Sequence, residues 1–278
     1  MTDQLENAVA AHYGKGGLLG RILEALAAAG LDLEHLSPED LAAVDEFHIG
    51  GRAATHKALA PMRLAPDMHV LDAGCGIGGT VRYLAQTYGC RVTGLDLTPE
   101  FINVARDLTA RVGLGDRCTY EVGSVTAMPF ADGTFDAALT FHVAMNVADR
   151  DGFCRELARV LRPGAELCVF DVMKGPAQGM IYPVPWADAE ATSTLKSRDE
   201  TVALLEDAGF ALTAEDNLRS FAIDFFREGF AKVAAAGGPP PLGLHLLTGA
   251  NTREKFANLA KALEAHQVEP VVLIAKRS

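Results

Sequence analysis

The sequence has one tryptophan, and its five cysteines, Cys75, Cys90, Cys118, Cys154 and Cys168, form no Cys-x-x-Cys pair. An odd number of scattered thiols excludes a disulfide framework and a structural zinc site, and points to buried free thiols in a reducing compartment. No apolar run approaches the length of a membrane span. The opening Met1-Thr2-Asp3-Gln4-Leu5-Glu6 has neither a basic region nor an apolar stretch, so no signal peptide is expected and the expected location is cytoplasmic. Positive charge is scarce. With 25 Lys and Arg against 36 Asp and Glu the formal net charge is −11, which argues against a protein that tracks nucleic-acid phosphates. No His, Cys and acid cluster suggests a metal. The expected partner is a small molecule, and the chain a monomer or homodimer.

What is present is core-forming material. Hydrophobic residues make up 49% of 278 residues, enough for one large domain or one domain with a modest cap. The chain is organised around His69-Val70-Leu71-Asp72-Ala73-Gly74-Cys75-Gly76-Ile77-Gly78-Gly79-Thr80. An apolar strand runs into an acid, glycines follow, and a helix-compatible stretch begins. Glycines let backbone approach a ligand closely, and a helix start offers free N–H groups. From 69 to 175 strand and helix patterns alternate. Strands are expected at 69–73, 91–96, 118–123, 135–141 and 165–172, and helices at 79–88, 98–112 and 150–161, the last closed by Pro163-Gly164. Such alternation predicts a doubly wound parallel sheet with ligands at the carboxyl ends of its strands.

The flanks are less regular. Residues 1–64 read as a helical lid, with leucines at helical spacing and an N-cap at Ser37-Pro38-Glu39-Asp40. Two glycine-containing turns interrupt it, one around Tyr13 and one at Asp45 to Arg52. Residues 65–175 form the expected cofactor-binding core. Residues 176–278 supply the remaining strands, at 210–218 and 268–276, with cap insertions at about 176–197 and 220–264.

Gly74-x-Gly76-x-x-Gly79 matches the dinucleotide fingerprint, a weak signal alone. Asp96, ending the second strand about 20 residues past the glycines, is placed to take ribose hydroxyls. Asp72 discriminates between cofactors. A carboxylate beside a pyrophosphate repels it, whereas S-adenosylmethionine carries an ammonium and a sulfonium.

These motifs resemble the class I S-adenosylmethionine-dependent methyltransferases. The likeness covers Leu71 to Gly78, Gly94-Leu95-Asp96-Leu97, Gly123-Ser124-Val125, Met128-Pro129-Phe130, Phe135-Asp136 and Arg159 to Gly164. Glu46 to Gly51, Met145 to Asp149 and Pro185-Trp186 extend it toward the sarcosine/dimethylglycine N-methyltransferase-like group. The resemblance implies a Rossmann-like, mostly parallel seven-stranded sheet, with S-adenosyl-L-methionine as methyl donor and S-adenosyl-L-homocysteine as product. It implies that Asp72, Gly74, Gly76, Asp96 and Leu97 bind the cofactor, although for Leu97 plain core packing is an equal alternative. Many members carry an acid after the third strand near the adenine. Here Ser124 and Val125 stand there and become the adenine-site candidates. Tyr13, Gly50 and Gly51 belong to turns that in related folds close over the methionine part.

The candidate catalytic set is His142, Asn146 and Tyr13. Phe141 and His142 end the fourth strand, facing the methyl end if the register holds. An imidazole there suits taking a proton from an amine or hydroxyl, or serves only as a structural hydrogen-bonding group. Asn146 lies a helical turn beyond His142, where some small-amine methyltransferases have a histidine; an amide orients but does not deprotonate. His48, Met145, Trp186 and His245 are the substrate candidates, Trp186 as a cation–π partner or as lid packing. The expected reaction is methyl transfer to the nitrogen of a small amine or amino-acid derivative. O- or C-methylation of an apolar metabolite is the alternative. A nicotinamide-dependent oxidoreductase or a non-catalytic nucleotide binder is more remote.

Overall fold

The computed structural model describes Glu6, residues 16–249 and residues 251–278. From residue 16 on, three helices come first, α1 (Leu18–Ala28), α2 (Pro38–Asp45) and α3 (Gly51–Leu59). Then follow β1 (His69–Ala73), α4 (Gly79–Tyr88), β2 (Arg91–Asp96), α5 (Pro99–Arg111), β3 (Cys118–Val122), β4 (Phe135–Phe141), α6 (Arg150–Val160) and β5 (Leu161–Lys174). The chain continues through α7 (Arg198–Asp207), β6 (Phe210–Asn217), α8 (Arg219–Ala235), α9 (His245–Thr248), α10 (Thr252–Glu264) and β7 (Val268–Arg277). No helix among the described residues is long and apolar enough to cross a membrane.

The seven strands form one sheet in the order β3-β2-β1-β4-β5-β7-β6. All neighbouring pairs are parallel except those made by β7, which runs antiparallel to β5 and β6. This is the doubly wound, mostly parallel sheet predicted by the alternation. Its central strands are buried on both faces, as parallel strands under crossover helices must be. Val70 sends its side chain to the layer of α3, α4 and α5, and Leu71 to the layer of α6 and α7. The strand order reverses between β1 and β4, the switch point at which such sheets leave a crevice. The sequence pattern ends α6 at 161. In the structure it ends at Val160, and Leu161 already pairs with Phe135, so Pro163-Gly164 lies inside an irregular start of β5 rather than closing the helix. A register shift between Phe135 and Ala137 absorbs the extra residues.

The N-terminal helices are anchored in two ways. Leu18, Ile22, Leu26, Leu41 and Val44 pack against Ile77 and against Phe101, Val104 and Leu108 of α5. Ser37 caps α2 with a reciprocal capping box to Asp40, as its sequence predicts. At the other end of α2, Asp45 meets Arg82 of α4, both fully buried. Arg82 also donates to Thr109 Oγ1 at 3.1 Å and Ala105 O at 3.4 Å. Burial pushes the Asp45 carboxyl up, against the pull of the Arg82 guanidinium beside it.

Breaking one side of a buried pair strands the other charge. Asp45→Ala is expected to cost about 3–5 kcal/mol in urea unfolding, whereas the paired change Asp45→Leu with Arg82→Met costs much less. Equal losses in the two variants would show that the pair's charges are not what matters.

Candidate active site

The crevice at the switch point is lined from the carboxyl ends of β1, β2, β3 and β4. From β1 come Asp72 and the turn Gly74-Cys75-Gly76; from β2, Asp96 and Leu97; from the loop after β3, Ser124 and Val125; from β4, Phe141 and His142. Leu97 and Val125 are only partly covered there. Phe47 and His48 of the α2–α3 turn, Met145 and Asn146, Pro185 and Trp186, and Leu247 complete the wall.

The glycine turn is fixed by backbone. The N–H groups of Gly74 and Cys75 donate to Leu95 O at 2.7 and 3.0 Å. Asp96 Oδ2 accepts from Gly76 N–H at 2.9 Å, and its Oδ1 from Thr98 N–H at 2.8 Å. Gly74 sits at φ +88, and a Cβ there would lie 2.2 Å from Val143 Cγ2. Gly76 sits at φ +53, where a Cβ would meet nothing within 4 Å and would project into space. The turn is therefore tight on its β4 side and hollow on its crevice side.

Acids gather at this end. Asp72 is buried, with no ion pair among the described residues. Burial above all, then the charges of Asp96 and Glu46, push its carboxyl up to about 8. Burial also raises Asp96, against its two backbone hydrogen bonds. A cluster of carboxyls costly to ionise when alone fits a cationic ligand, which repays that cost. After β3, Ser124 Oγ donates to Glu6 Oε1 at 2.6 Å, bringing an acid of the N-terminal segment over the crevice.

The β4 end is strained. His142 is in the left-handed region at φ +55, a conformation uncommon for a residue with a side chain. Its N–H donates to Phe170 O at 2.7 Å, and its ring lies 4.8 Å from that of Phe170. Its Nε2 is buried and has no hydrogen-bond partner among the described residues. Burial, with a charge on His48 acting in the same sense, holds the ring well below the ordinary imidazole range, so it is neutral. The predicted helical turn between His142 and Asn146 is absent. The left-handed kink ends β4, and a separate 3-10 turn covers Ala144–Asn146. Asp171 Oδ2 accepts Ala144 N–H at 2.9 Å, and Thr194 Oγ1 donates to Met145 O at 2.8 Å, which pins that turn.

Other expectations need correction. Gly50 and Gly51 do not line the crevice. Gly50, at φ +90, is the N-cap of α3, where a Cβ would come within 2.5 Å of Phe221, and Gly51 opens the helix. Their role is the turn, and it is their neighbours Phe47 and His48 that reach the crevice. His245 does not line it either; it begins α9, and Leu247 two residues on faces in. Trp186 lines the crevice, but its ring is 5% exposed, packs with Ile49, Val184 and Phe226, and donates Nε1–H to Ser193 Oγ at 3.0 Å. It is a fixed wall rather than an open cation receptor. Tyr13 lies outside the described residues. Sequence reasoning gave no role to Glu46, Arg52 or Thr55. All three bond together beneath His48, and the short spacing of Glu46 to His48 is the one signal that pointed to them.

Doubly wound sheets with a glycine turn and a β2 acid form a class of nucleoside-binding domains, and the comparisons narrow it. Residues 71–169 match the family model described as methyltransferase domain. These residues carry a methyltransferase domain, and their motifs resemble those of the class I, S-adenosylmethionine-dependent enzymes. A methyltransferase, GfsG, of Streptomyces halstedii is 31% identical over 179 residues, which are 62% of this chain and 63% of that protein. A geranyl diphosphate C-methyltransferase of Streptomyces coelicolor A3(2), solved with S-adenosyl-L-homocysteine, superposes with a TM-score of 0.72 over 99% of this chain and 98% of its own, at 19% identity. A candidate sarcosine dimethylglycine methyltransferase of Galdieria sulphuraria superposes at 0.66, over 81% and 83% of the two chains, at 19% identity. At these identities the structural likeness is one of fold. The matched region spans between 28% and 63% of the curated relatives' own lengths. Relatives named for methylation at nitrogen, carbon and oxygen all match it.

The raised Asp72 gives binding a pH signature. A cation that draws this carboxyl down from about 8 makes it release a proton on binding. S-adenosylmethionine binding is expected to tighten from about pH 6 to about 7.5, by up to about tenfold per unit. Calorimetry in buffers of different ionisation enthalpy reads the released proton. Asp72→Asn is expected to remove both the proton and the pH dependence, and a proton released undiminished in that variant would place its source elsewhere.

Proposed function

We propose that the protein transfers a methyl group from S-adenosylmethionine to a hydroxyl of an uncharged, apolar small molecule. The observation that carries this is the neutral His142 lining the crevice, whose buried Nε2 has no hydrogen-bond partner among the described residues. When bound, S-adenosylmethionine supplies a methyl already activated by a sulfonium leaving group. The chain's own task is then to align the acceptor, exclude water and receive one proton.

In this reading Asp72 faces the ammonium of the methionine part, and Asp96 takes the ribose hydroxyls with the lone pairs left by Gly76 and Thr98. Gly74 and Gly76 let backbone lie against the cofactor. Leu97 and Val125 cover the adenine, with Ser124 at its edge. His142 takes the acceptor's proton. A neutral amine brings its own lone pair and needs no proton removed before attack, whereas a hydroxyl loses its proton as it attacks. A buried neutral imidazole serves the second better. The acceptor wall of Phe47, Met145, Pro185, Trp186 and Leu247 supports an apolar partner. Asn146 would orient the acceptor. The amino-acid derivative expected from sequence would bring a charged carboxylate against this wall, which favours the alternative acceptor.

Three measurements test this. S-adenosylhomocysteine formation over a panel of matched phenols, aliphatic alcohols, amines and amino acids is expected to favour the apolar hydroxyl compounds; turnover confined to amino acids would sink the reading. His142→Ala is expected to lower kcat about 100- to 10,000-fold while leaving cofactor binding intact. Asp96→Ala is expected to weaken S-adenosylhomocysteine binding at least about 100-fold, the worth of two charge-assisted hydrogen bonds.

A further inference from the structure

Behind His142 lies a polar cluster with no part in the roles above. Glu46, His48 and Thr55 are all buried. Glu46 Oε2 lies 2.9 Å from His48 Nε2 and accepts from Thr55 Oγ1 at 2.7 Å; its Oε1 pairs with Arg52 Nε at 2.6 Å. Arg52 is in turn held over the ring of Tyr83 at 4.8 Å. The His48 ring, the Thr55 hydroxyl and the Arg52 cation therefore converge on one carboxylate. Burial opposes its ionisation, but the His48 hydrogen bond and charge, with Arg52, hold it below the usual range.

An ionised carboxylate only accepts, so His48 Nε2 carries a hydrogen toward it. His48 Nδ1 lies 3.4 Å from Ile49 O, a contact favourable only if that nitrogen carries a hydrogen too. Both ring nitrogens thus face acceptors, and Glu46 stands as the counter-ion to a charge on the ring. Its centroid is 5.8 Å from that of His142. The same ring stands edge-on to Phe141 and Phe170, at 5.5 and 5.6 Å, the residues that flank His142.

We propose that His48, fixed by Glu46, is a positioning residue that keeps His142 uncharged and aimed at the acceptor. This rests on His142 being the proton acceptor. His48 does not itself touch the acceptor's proton, because both of its nitrogens are turned to the protein. The titratable groups around His142 are few. His48 faces it from the α2–α3 turn with Glu46 behind, Asp171 sits beneath the following turn on β5, and Asp72 lies on β1. Burial lowers His142 most, and of these groups His48 adds to it in the same sense. A charge on His48 disfavours a second cation beside it, and so favours the neutral, proton-accepting form of His142.

The test reads His142 directly. Its ring Cε1–H resonance is titrated by NMR in the full chain with S-adenosylhomocysteine bound, for wild type, His48→Gln and His48→Phe. The Gln keeps a donor toward Glu46, the Phe keeps the ring packing, and both remove the charge. In each, His142 is expected to titrate higher by about 0.5–2 pH units, the range for one charge at this separation between water-like and protein-like dielectrics. The acid limb of kcat/KM should move up with it, and S-adenosylhomocysteine binding should not change. An unmoved His142 titration in either folded variant overturns the proposal, as does a fall in kcat of the same size when His48→Gln is added to His142→Ala. The titration is read without turnover. If it moves while no acceptor is methylated, the functional reading fails and the His48 assignment survives.

Discussion

The closeness of Gly74 and Val143 is the constraint on which the site depends. β1 and β4 are neighbours at the switch point, and the turns leaving them must pass each other. They pass so closely that Val143 occupies the place where a Cβ of residue 74 would sit, 2.2 Å away. A side chain at 74 would force the two turns apart. His142 precedes Val143, and its left-handed backbone is what delivers Val143 onto the glycine. The strain at one residue and the missing side chain at the other belong to one fit, and strained positions of this kind persist only where packing over-determines them.

With the turns locked, charge is separated along the crevice. Asp72 and Asp96 stand at the β1–β2 end, where burial makes ionisation costly. His142, neutral, stands at the β4 end, backed by the Glu46–His48 pair. In the proposed reaction a cationic donor would relieve the acids, and methyl transfer to a hydroxyl would remove a positive charge from sulfur while handing a proton toward His142. Charge therefore moves from the acidic end toward the end equipped to refuse it. That arrangement favours quick loss of the proton over its storage.

Much of this was legible in the sequence. The strands from β1 to β4 follow from apolar runs bounded by glycine, proline and acids, and the structure places them within a residue of their expected ends. The places of Asp72 and Asp96 at the crevice were legible because backbone geometry fixes which residues stand at the end of a strand before a tight turn. The failures share a cause. Gly50-Gly51 looked like a ligand turn, but whether a glycine faces a ligand or a neighbouring Phe221 depends on a helix far along the chain. His245 and Leu247 differ by two residues at a single helical turn, and only tertiary packing decides which faces in. The spacing of His142 and Asn146 suited a helix, yet Asp171 and Thr194, from distant segments, impose a 3-10 turn. Local patterns carry the sheet, and long-range contacts carry the cap.

The same division explains why the donor is easier to read than the acceptor. The donor end is held mainly by backbone hydrogen bonds from strands and their turns, which tolerate few alternatives. The acceptor wall is held by side chains. The segment bearing Pro185 and Trp186 is tied down by Asn258 Nδ2 donating to Pro183 O at 2.9 Å, by Lys255 pairing with Asp188 at 3.1 Å, and by Trp186 on Ser193. Each tie is one side chain reaching from an element outside the sheet core, so a few substitutions there reshape the wall and leave Asp72 and Asp96 in place. A fold built this way keeps one methyl donor while its acceptor changes, which is why relatives named for nitrogen, carbon and oxygen methylation share it, and why the acceptor has to be argued from His142 and its wall rather than from the sheet.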